Sequence, residues 1–527
     1  MRIISLRWIC LLAWVIGANA QKTTDFTGSF VVVPAGPDTE RRTISSVGNG
    51  QLDGMGEAAL RLRIVQQPGR DFWGIGAGKA TLSVAMNRAD AFEINLDFPD
   101  PGATFQYGGS GTISGGRGVY AGATGTANVR FPVPDLRNQL LMSLSMSGTL
   151  SVKGQNISLS ATNVEMAASR SVYTGTTNLN PSVGTLGPLG NTTLTVVGVD
   201  DDRGGTQLTS TFRFNAADSF QILTNYRGGT PSTFTESIMN GTGAYDGATG
   251  TIRAQLGPGA GGIGVSFTGQ VTQPAAGAPI IRGVSTTASD GPLASNTWTE
   301  IQGVNLTPKD TPGGGVFWSN APEFAGGKMP TQLGPISVTM GGKPTYIWWY
   351  CSAATTPGCA RDQINVLTPP DTGTGLIPVV VKIGNVSSAP FYVERSGAIS
   401  PTLLLAQAKG YALSTHVDGT LVGPTTLYPG ATTPARKRET VILWGSGFGL
   451  PTAGVVTGSS TQSALLPQNI RCYIGTFRQQ VQAALASPGL TQLNLTIPPD
   501  ISSGDHLLTC VSDVNGNTPI GTLITVE

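Results

Sequence analysis

A glycine-rich stretch occurs twice in this chain, and this duplication constrains the fold more than any other feature of the sequence. "GRGVYAGATGT" (Gly116–Thr126) is repeated as "GTGAYDGATGT" (Gly241–Thr251), 125 residues later. Weaker similarity continues on both sides of each copy. A fixed offset of this size indicates two related units, each long enough to form one domain. We place these units at residues 21–153 and 154–276.

Both copies lie between segments in which apolar and polar residues alternate, such as "FEINLDF" and "TSTFRFN", a pattern typical of antiparallel strands. Glycine permits positive φ and close backbone approach, so each copy fits a tight hairpin turn covered by its tyrosine ring. A phosphate-binding loop would instead continue into a helix, and "ANVRFPV" and "IRAQLGP" are not helix starts. We therefore predict structural turns built by Gly116, Gly118, Tyr120, Gly122, Gly125, Gly241, Gly243, Tyr245, Gly247 and Gly250.

The shared pattern "GxGxYxGATG" resembles the glycine-rich hairpin of the allene oxide cyclase and dirigent β-barrel superfamily. The resemblance is confined to Ile113–Thr126 and Ile238–Thr251. It implies two barrel-like antiparallel units, in a superfamily of eight-stranded barrels in which some members hold small molecules. It transfers no catalytic residue to this chain.

A second duplication fills the other half of the sequence. "INVLTPPDTGTGLIPVVVKIG", from Ile364, and "LNLTIPPDISSGDHLLTCVSD", from Leu493, share a strand-like run, the letters PPD, a glycine-containing turn and a second apolar run. About seven short strands in a unit of this length favour an immunoglobulin-like sandwich. We place the two sandwiches at residues 278–396 and 397–527.

This half also resembles a known module. The similarity is carried by Val338–Trp349, Asp362–Val393, His416–Pro424 and Glu439–Gly449, in that order. These segments resemble the TIG/IPT fold, an immunoglobulin-like module, and more closely the Solibacter-type C-terminal domain of secreted acidobacterial proteins. The resemblance implies sandwich architecture and export, and it implies no activity.

The first 20 residues have the pattern of a signal peptide. Arg2 and Arg7 precede the apolar run Trp8–Gly17, which is too short for a stable membrane-spanning helix. Small residues then lead to an expected cleavage site between Ala20 and Gln21. The sequence therefore predicts a secreted or cell-surface protein, with no membrane span in the mature chain.

Cysteines are few after the signal peptide, and export favours disulfides between them. Four cysteines allow three pairings. Cys351 and Cys359 bracket one turn-rich loop, whereas Cys472 and Cys510 lie in two strand-like runs of one predicted domain. We predict these two disulfides rather than a metal site, because the chain has only 2 histidines and no CxxC spacing.

The sequence contains no recognisable catalytic constellation and predicts no cofactor. We interpret His416 and His506 as surface or turn residues, since no G-x-S-x-G element accompanies them. The stretches Asp200–Asp202 and Asp513–Asn517 lack the alternating ligands of a calcium loop. The sequence leaves open whether either stretch binds calcium, and we predict no metal site.

Aromatic residues give the best indication of binding. Trp348, Trp349 and Tyr350 are consecutive in a predicted strand, so strict alternation places Trp348 and Tyr350 on one face and Trp349 on the other. Aromatic rings exposed beside the Cys351–Cys359 loop would stack on a sugar or on a protein partner. The alternative is burial against a neighbouring domain.

Together these features predict an all-β, exported, non-enzymatic protein that binds, adheres or gives structural support outside the cell. A formal net charge of +1 and 12% charged residues argue against nucleic acid as a partner and leave extracellular polysaccharide or a surface protein. The alternative is a small-molecule carrier or enzyme with its site inside an N-terminal barrel and the sandwiches as accessory modules. A polar-lined cavity would favour that alternative, and a filled apolar interior would favour the first reading.

Overall fold

The fold is all-β, as the sequence predicts, with two barrel-like units followed by two sandwiches. The computed structural model describes residues 23–32, 39–66, 78–98, 106–132, 141–178, 182–200, 205–227, 233–259, 262–286, 292–370, 374–396, 400–406, 410–512 and 516–527. Within these ranges, short 3₁₀ turns occur at Gly118–Tyr120, Gly187–Leu189, Gly243–Tyr245 and Trp318–Asn320. None of the described segments forms a helix with the length and apolar character that crossing a membrane requires.

The first barrel is a closed ring of antiparallel strands. Strand β9 (Gln155–Asn178) pairs with β8 (Leu141–Val152) along its first half and with β2 (Thr39–Leu52) along its second half, which closes the ring. Its strands are β2 (Thr39–Leu52), β3 (Gly56–Gln66), β4 (Gly78–Ala85), β5 (Ala91–Phe98), β6 (Gln106–Arg117), β7 (Thr124–Pro132), β8 (Leu141–Val152) and β9 (Gln155–Asn178).

Alternation along the strands fills the interior of this barrel with apolar side chains. In β3, Leu60, Leu62 and Ile64 point inward and are buried, whereas Arg61 and Arg63 are exposed. Equivalent inward residues of the other strands join them in one apolar cluster, including Leu82, Phe92, Ile94, Val129, Leu144 and Leu159. The described interior is therefore a packed core.

The second barrel takes one strand from the start of the chain. Strand β1 (Thr23–Val32) pairs with β16 (Gly262–Thr272) along its whole length and lies against β10 (Ser182–Thr185). The hydrogen-bonded sheet does not divide at residues 153/154, because a tight turn there joins β8 to β9. The remaining strands are β10 (Ser182–Thr185), β11 (Asn191–Asp200), β12 (Gly205–Arg213), β13 (Ser219–Arg227), β14 (Thr233–Thr242), β15 (Thr249–Gly259) and β16 (Gly262–Thr272).

The first sandwich packs two sheets around one apolar core. One sheet contains β17 (Ile280–Thr286), β18 (Trp298–Val304), β19 (Val316–Phe317), β23 (Tyr346–Cys351) and β24 (Asp362–Leu367). The other contains β20 (Gln332–Leu333), β21 (Ile336–Met340), β22 (Lys343–Pro344), β25 (Thr374–Ile383), β26 (Val386–Ser387) and β27 (Phe391–Ser396).

The second sandwich is one folded sheet whose inner faces meet at a large apolar core. Its longer strands are β34 (Thr440–Ser446), β36 (Ile470–Ile474), β37 (Phe477–Ser487), β38 (Leu490–Thr496), β39 (Gly504–Ser512) and β40 (Thr522–Val526). Its short strands are β28 (Thr402–Leu403), β29 (Leu405–Ala406), β30 (Tyr411–Ala412), β31 (Ser414–Thr415), β32 (Leu421–Val422), β33 (Thr432–Thr433) and β35 (Ala464–Leu465).

Neighbouring modules are in direct contact along the chain. Strand β11 pairs with the end of β9 and so joins the two barrels. Arg282 of the first sandwich forms an ion pair with Asp246 of the second barrel at 2.6 Å. The backbone N–H of Met329 donates to the carbonyl of Gly458 at 2.7 Å, which links the two sandwiches.

The second sandwich also packs back onto the first barrel. Asn49 Nδ2 donates to the carbonyl of Leu507 at 3.0 Å, and Thr509 Oγ1 donates to Asn49 Oδ1 at 3.0 Å. Buried apolar side chains from both modules surround these bonds: Val47, Ala59, Ala85, Ala91, Tyr473, Leu507, Val511 and Ile520. The four modules therefore close into a ring.

Candidate functional site

The outer face of the first sandwich carries a mixed set of aromatic and polar side chains. On β18, Ile301 points into the core, and Trp298, Glu300 and Gln302 point outward. The register places Glu300 opposite Asn365 on β24, Asn365 opposite Trp349 on β23, and Trp349 opposite Phe317 on β19. A continuous row of side chains on this side of the sheet therefore crosses four strands, in which Asn365 is only 8% exposed.

A β-bulge at Trp348 changes which side chains face outward. The pairing of β23 with β24 shifts by one residue between Ile347 and Trp349. Ile347 and Tyr350 are both buried in the core, while Trp348 is 39% exposed. The prediction that Trp348 and Tyr350 share one face is therefore wrong, because the extra residue turns Trp348 to the same side as Trp349.

Six rings form a connected cluster on this side, which we call the aromatic face: Trp298, Phe317, Trp318, Phe324, Trp348 and Trp349. Trp348 lies 5.4 Å from Trp298 and 6.4 Å from Phe317, measured between ring centroids. Phe317 lies 5.7 Å from Trp349, and Trp318 joins Trp298 to Phe324. Phe317 and Trp318 were not among the predicted binding residues, although "VFWSN" carries an adjacent aromatic pair.

Hydrogen bonds fix two of these indoles and leave a third available. Trp298 Nε1 donates to the carbonyl of Pro488 at 2.9 Å, so the second sandwich anchors this ring. Trp349 Nε1 donates to the carbonyl of Gly314 at 3.1 Å. Among the described residues, Trp348 Nε1 has no hydrogen-bond partner, and Trp348 is the most exposed tryptophan of the aromatic face. Trp348 can therefore donate to a ligand.

The disulfide loop supports the position of Trp349. Cys351 and Cys359 are bonded to each other, and Thr356 within the loop accepts a hydrogen bond from the N–H of Gly314 at 3.2 Å. The carbonyl of Gly314 is in turn the acceptor for Trp349. The loop thus orients one ring of the aromatic face through two hydrogen bonds. The other predicted pair, Cys472 and Cys510, is also bonded and lies buried in the second sandwich.

Polar side chains beside the rings supply donors and acceptors. Gln302 donates to Glu300 on β18, and Gln363 Nε2 donates to Asn365 Oδ1 at 2.9 Å on β24. A side-chain amide can donate a hydrogen bond to a hydroxyl or accept one from it, whereas a carboxylate can only accept. Rings that cover apolar C–H surface next to such groups are suited to a ligand rich in hydroxyls.

The glycine-rich turns lie in the two barrels, and atoms of the protein itself pack against several of their glycines. Each turn is a single 3₁₀ turn, and Gly118 and Gly243 have φ of 61° and 59°. A Cβ atom at Gly118 would lie 2.1 Å from Asp90 Oδ1, and one at Gly243 would lie 2.0 Å from Asp218 Oδ1. Only glycine fits at either position.

The aspartate in each barrel holds its turn through charged hydrogen bonds. Asp90 Oδ1 accepts the N–H of Val119 at 2.8 Å, and Asn87 Nδ2 donates to Asp90 Oδ2 at 2.8 Å. The N–H of Val119, followed by the Asn87 amide, lowers the pKa of Asp90. Asp218 repeats these contacts in the second barrel. Sequence reasoning missed both aspartates, although Asn-x-Ala-Asp recurs at an offset of 128 residues, from 90 to 218.

The remaining residues of the turns pack closely with their surroundings. Tyr120 lies 5.4 Å from Phe92, and Tyr245 lies 4.8 Å from Phe214, between ring centroids. A Cβ atom would overlap a backbone carbonyl at Gly116, Gly125, Gly241 and Gly250, while Gly122 and Gly247 have φ of 75° and 71°.

Neither histidine is a surface residue, which corrects that part of the interpretation from the sequence, but His416 does begin a turn, since its carbonyl accepts the N–H of Gly419 at 3.0 Å. His416 is 9% exposed and His506 is 5% exposed. His506 Nδ1 lies 2.6 Å from Glu57 Oε1, and its Nε2 lies 2.8 Å from the carbonyl of Ser502. Both facing atoms are oxygens, so the imidazolium form, with a proton on each ring nitrogen, donates to both. The Glu57 hydrogen bond, opposed by burial, raises the pKa of His506.

His416 joins separate segments of the second sandwich. Its Nδ1 lies 2.6 Å from Glu439 Oε1 and its Nε2 lies 2.9 Å from Thr433 Oγ1. Glu439 also accepts the N–H of Arg436 at 2.8 Å. These residues line an open depression of about 330 Å³. A hydroxyl, an imidazole and a carboxylate in this order also occur in acyl-transfer enzymes. Here the three groups connect His416 with Thr433 and Glu439, and we assign them no reaction.

Several predicted features lie outside the described residues. These are the signal peptide, residues 201–202 of the first aspartate stretch and residues 513–515 of the second. Within the described ranges, no group of three histidine, cysteine or acidic residues is placed to hold a metal ion.

Comparison with solved structures shows distant structural similarity. No protein-family model matches this chain, and no curated protein matches it. The fold is similar to a solved structure of SGBP-B from the mixed-linkage glucan utilization locus of Bacteroides ovatus, in complex with a mixed-linkage heptasaccharide. The identity is 13% and the TM-score 0.26, over 59% of this chain and 64% of that one, which is less than two thirds of its length. A similarity at this level does not bear on the function of this chain.

Proposed function

We propose that this protein is an exported, non-enzymatic binding protein of the cell surface or extracellular space, and that its aromatic face binds polysaccharide. The observation that carries the proposal is the exposed Trp348 beside partly exposed Trp349 and Phe317, on the side of the sheet that also carries Glu300 and Gln302. Stacking surface and hydrogen-bonding groups are combined there, as a sugar requires.

Two further features support the proposal. Both disulfides suit an oxidising, extracellular environment. The first barrel is filled by apolar side chains, which favours a supporting role for that module over a site for a polar small molecule. In this reading the barrels and the second sandwich hold the aromatic face in a rigid frame.

Affinity electrophoresis of the mature chain, residues 21–527, in gels that contain single polysaccharides would test the proposal. We expect retardation by at least one polysaccharide, lost in Trp348→Ala and largely kept in Trp348→Phe, which retains a ring. Val183→Ala serves as the control, because Val183 is an exposed apolar residue of the second barrel. Unchanged retardation in Trp348→Ala, or none by any polysaccharide, would contradict the proposal.

A further inference from the structure

The geometry of the aromatic face also indicates which kind of polysaccharide it takes. Resting on the proposed function, we propose that it selects single, soluble, neutral glycan chains in a twisted conformation, and discriminates against both flat crystalline polysaccharide and acidic glycans.

The rings do not form a flat platform. Phe317 and Trp349 are inclined by 34°, Trp298 and Trp348 by 46°, and Phe317 and Trp348 by 69°. A crystalline surface presents sugar rings in one plane, so it can cover only one of these aromatic rings at a time. A chain whose successive sugars rotate can follow the change of orientation from ring to ring.

Two structural causes keep the rings inclined. The bulge at Trp348 places two consecutive tryptophans on the same side of the strand, so their side chains leave the backbone in different directions. The carbonyls of Pro488 and Gly314 then hold the Trp298 and Trp349 indoles through hydrogen bonds. The orientations of Trp298 and Trp349 are therefore fixed by hydrogen bonds before a ligand binds.

The charge of the face disfavours acidic glycans. Glu300 is the charged residue among the side chains that β18, β19, β23 and β24 present on the side of the rings. It lies opposite Asn365, and Asn365 lies opposite Trp349. Glu300 accepts a hydrogen bond from Gln302 and offers its other lone pairs to hydroxyl donors. A uronate carboxylate at this position would meet like charge, which is unfavourable at close range.

The test is binding of the mature chain to three classes of polysaccharide. Soluble neutral chains are represented by amylose, galactomannan and mixed-linkage β-glucan; flat surfaces by microcrystalline cellulose; and acidic chains by polygalacturonate at low ionic strength. We expect binding to at least one soluble neutral chain, and at least tenfold weaker binding to cellulose and to polygalacturonate. Trp348→Ala should weaken the neutral binding at least tenfold.

A single substitution tests the charge argument separately. Glu300→Gln retains a side chain of the same shape, and we expect it to strengthen binding to polygalacturonate at least threefold relative to binding of the soluble neutral chain at low salt. Gln363→Glu should have the opposite effect on polygalacturonate, because it adds a negative charge to the same face.

The outcomes separate this inference from the proposed function. Binding to cellulose or polygalacturonate equal to or tighter than binding to soluble neutral chains, with loss in Trp348→Ala, would overturn the inference and leave polysaccharide binding intact. No binding to any of the three classes would overturn both. Selective binding to a soluble neutral chain that is weakened in Trp348→Ala, with less discrimination against polygalacturonate in Glu300→Gln, would support both.

Discussion

At the level of single residues, the glycine-rich turns give a sharp prediction. Gly122 has positive φ but open space around it, whereas Gly118 has positive φ and Asp90 at 2.1 Å from any Cβ. We expect Gly122→Ala to lower the free energy of unfolding by about 1–2 kcal/mol, the cost of a left-handed alanine. Gly118→Ala should cost about twice as much, because it also displaces Asp90 from the N–H of Val119.

Urea unfolding of the mature chain, followed with a probe that reports on the first barrel, would measure the loss of unfolding free energy in each variant. In the Asp90→Ala background, alanine at residue 118 should cost less than in the wild-type background but still more than at residue 122, because the Ala89 carbonyl oxygen remains 2.6 Å from the Cβ. Equal destabilisation by Gly118→Ala and Gly122→Ala in the wild-type background would contradict the steric argument.

Residue-scale features divide by whether their cause is local. The need for glycine in the turns is local and could be predicted from the sequence. The hydrogen bond from the N–H of Val119 to Asp90 joins two separate segments of the chain, and only the recurrence of this aspartate as Asp218 could have indicated it from the sequence. The bulge at Trp348 could not be predicted, because strict alternation is the default and pairing with β24 decides the exception.

At the level of elements, the disulfide-closed loop Cys351–Cys359 supports one ring of the aromatic face. Serine at both positions releases the loop, and the hydrogen bonds from Gly314 to Thr356 and from Trp349 to Gly314 lose their support. Re-ordering one freed side chain costs about 0.5–1.5 kcal/mol. We therefore expect polysaccharide affinity to fall about two- to tenfold, measured by isothermal titration calorimetry with the best ligand.

Serine at Cys472 and Cys510 is the matched control. That bond joins β36 to β39 away from the aromatic face, with a sequence separation of 38 residues against 8 for the first pair. In the chain-entropy description its loss costs about 4 kcal/mol of stability against about 2.6 for the shorter loop. It should lower the unfolding midpoint more and leave affinity unchanged below that midpoint. An equal loss of affinity in both variants would contradict the role of the loop.

The sequence indicated which segments form strands, but it did not indicate every pairing between them. Alternating residues and glycine-rich turns indicated antiparallel sheets in both barrels. The exchange of β1 into the second barrel depends on which edge is open once β9 has closed the first. Two similar barrels offer similar edges, so the sequence of β1 alone does not distinguish them.

At the level of the whole molecule, the ring of modules depends on contacts between the two ends of the chain. Glu57 of the first barrel binds both His506 and the N–H of Leu507, more than 440 residues away. No sequence pattern marks this contact, because each partner is an ordinary strand residue within its own domain. The contact nevertheless sets how firmly the second sandwich, which anchors Trp298, is held against the rest of the molecule.

The same contact makes the closure of the ring dependent on pH. Because the pKa of His506 is raised in the folded protein, its contribution to stability is complete below the ordinary histidine pKa of about 6.5 and is lost as pH rises through the raised value. Glu57 and Asp505, the charged groups that face the ring, are both acidic and favour the imidazolium. A charged hydrogen bond of this kind contributes about 1–3 kcal/mol.

We therefore expect the contact between the first barrel and the second sandwich to be weaker at pH 9 than at pH 6. The protection of the Leu507 amide against hydrogen exchange, corrected for the intrinsic pH dependence of exchange, would report this directly, because that amide donates to Glu57. His506→Gln should show low protection at both pH values. His416→Gln, which changes the only other histidine, should retain the wild-type pH dependence. A pH dependence that persists in His506→Gln would assign the effect to another group and remove the ion pair as its cause.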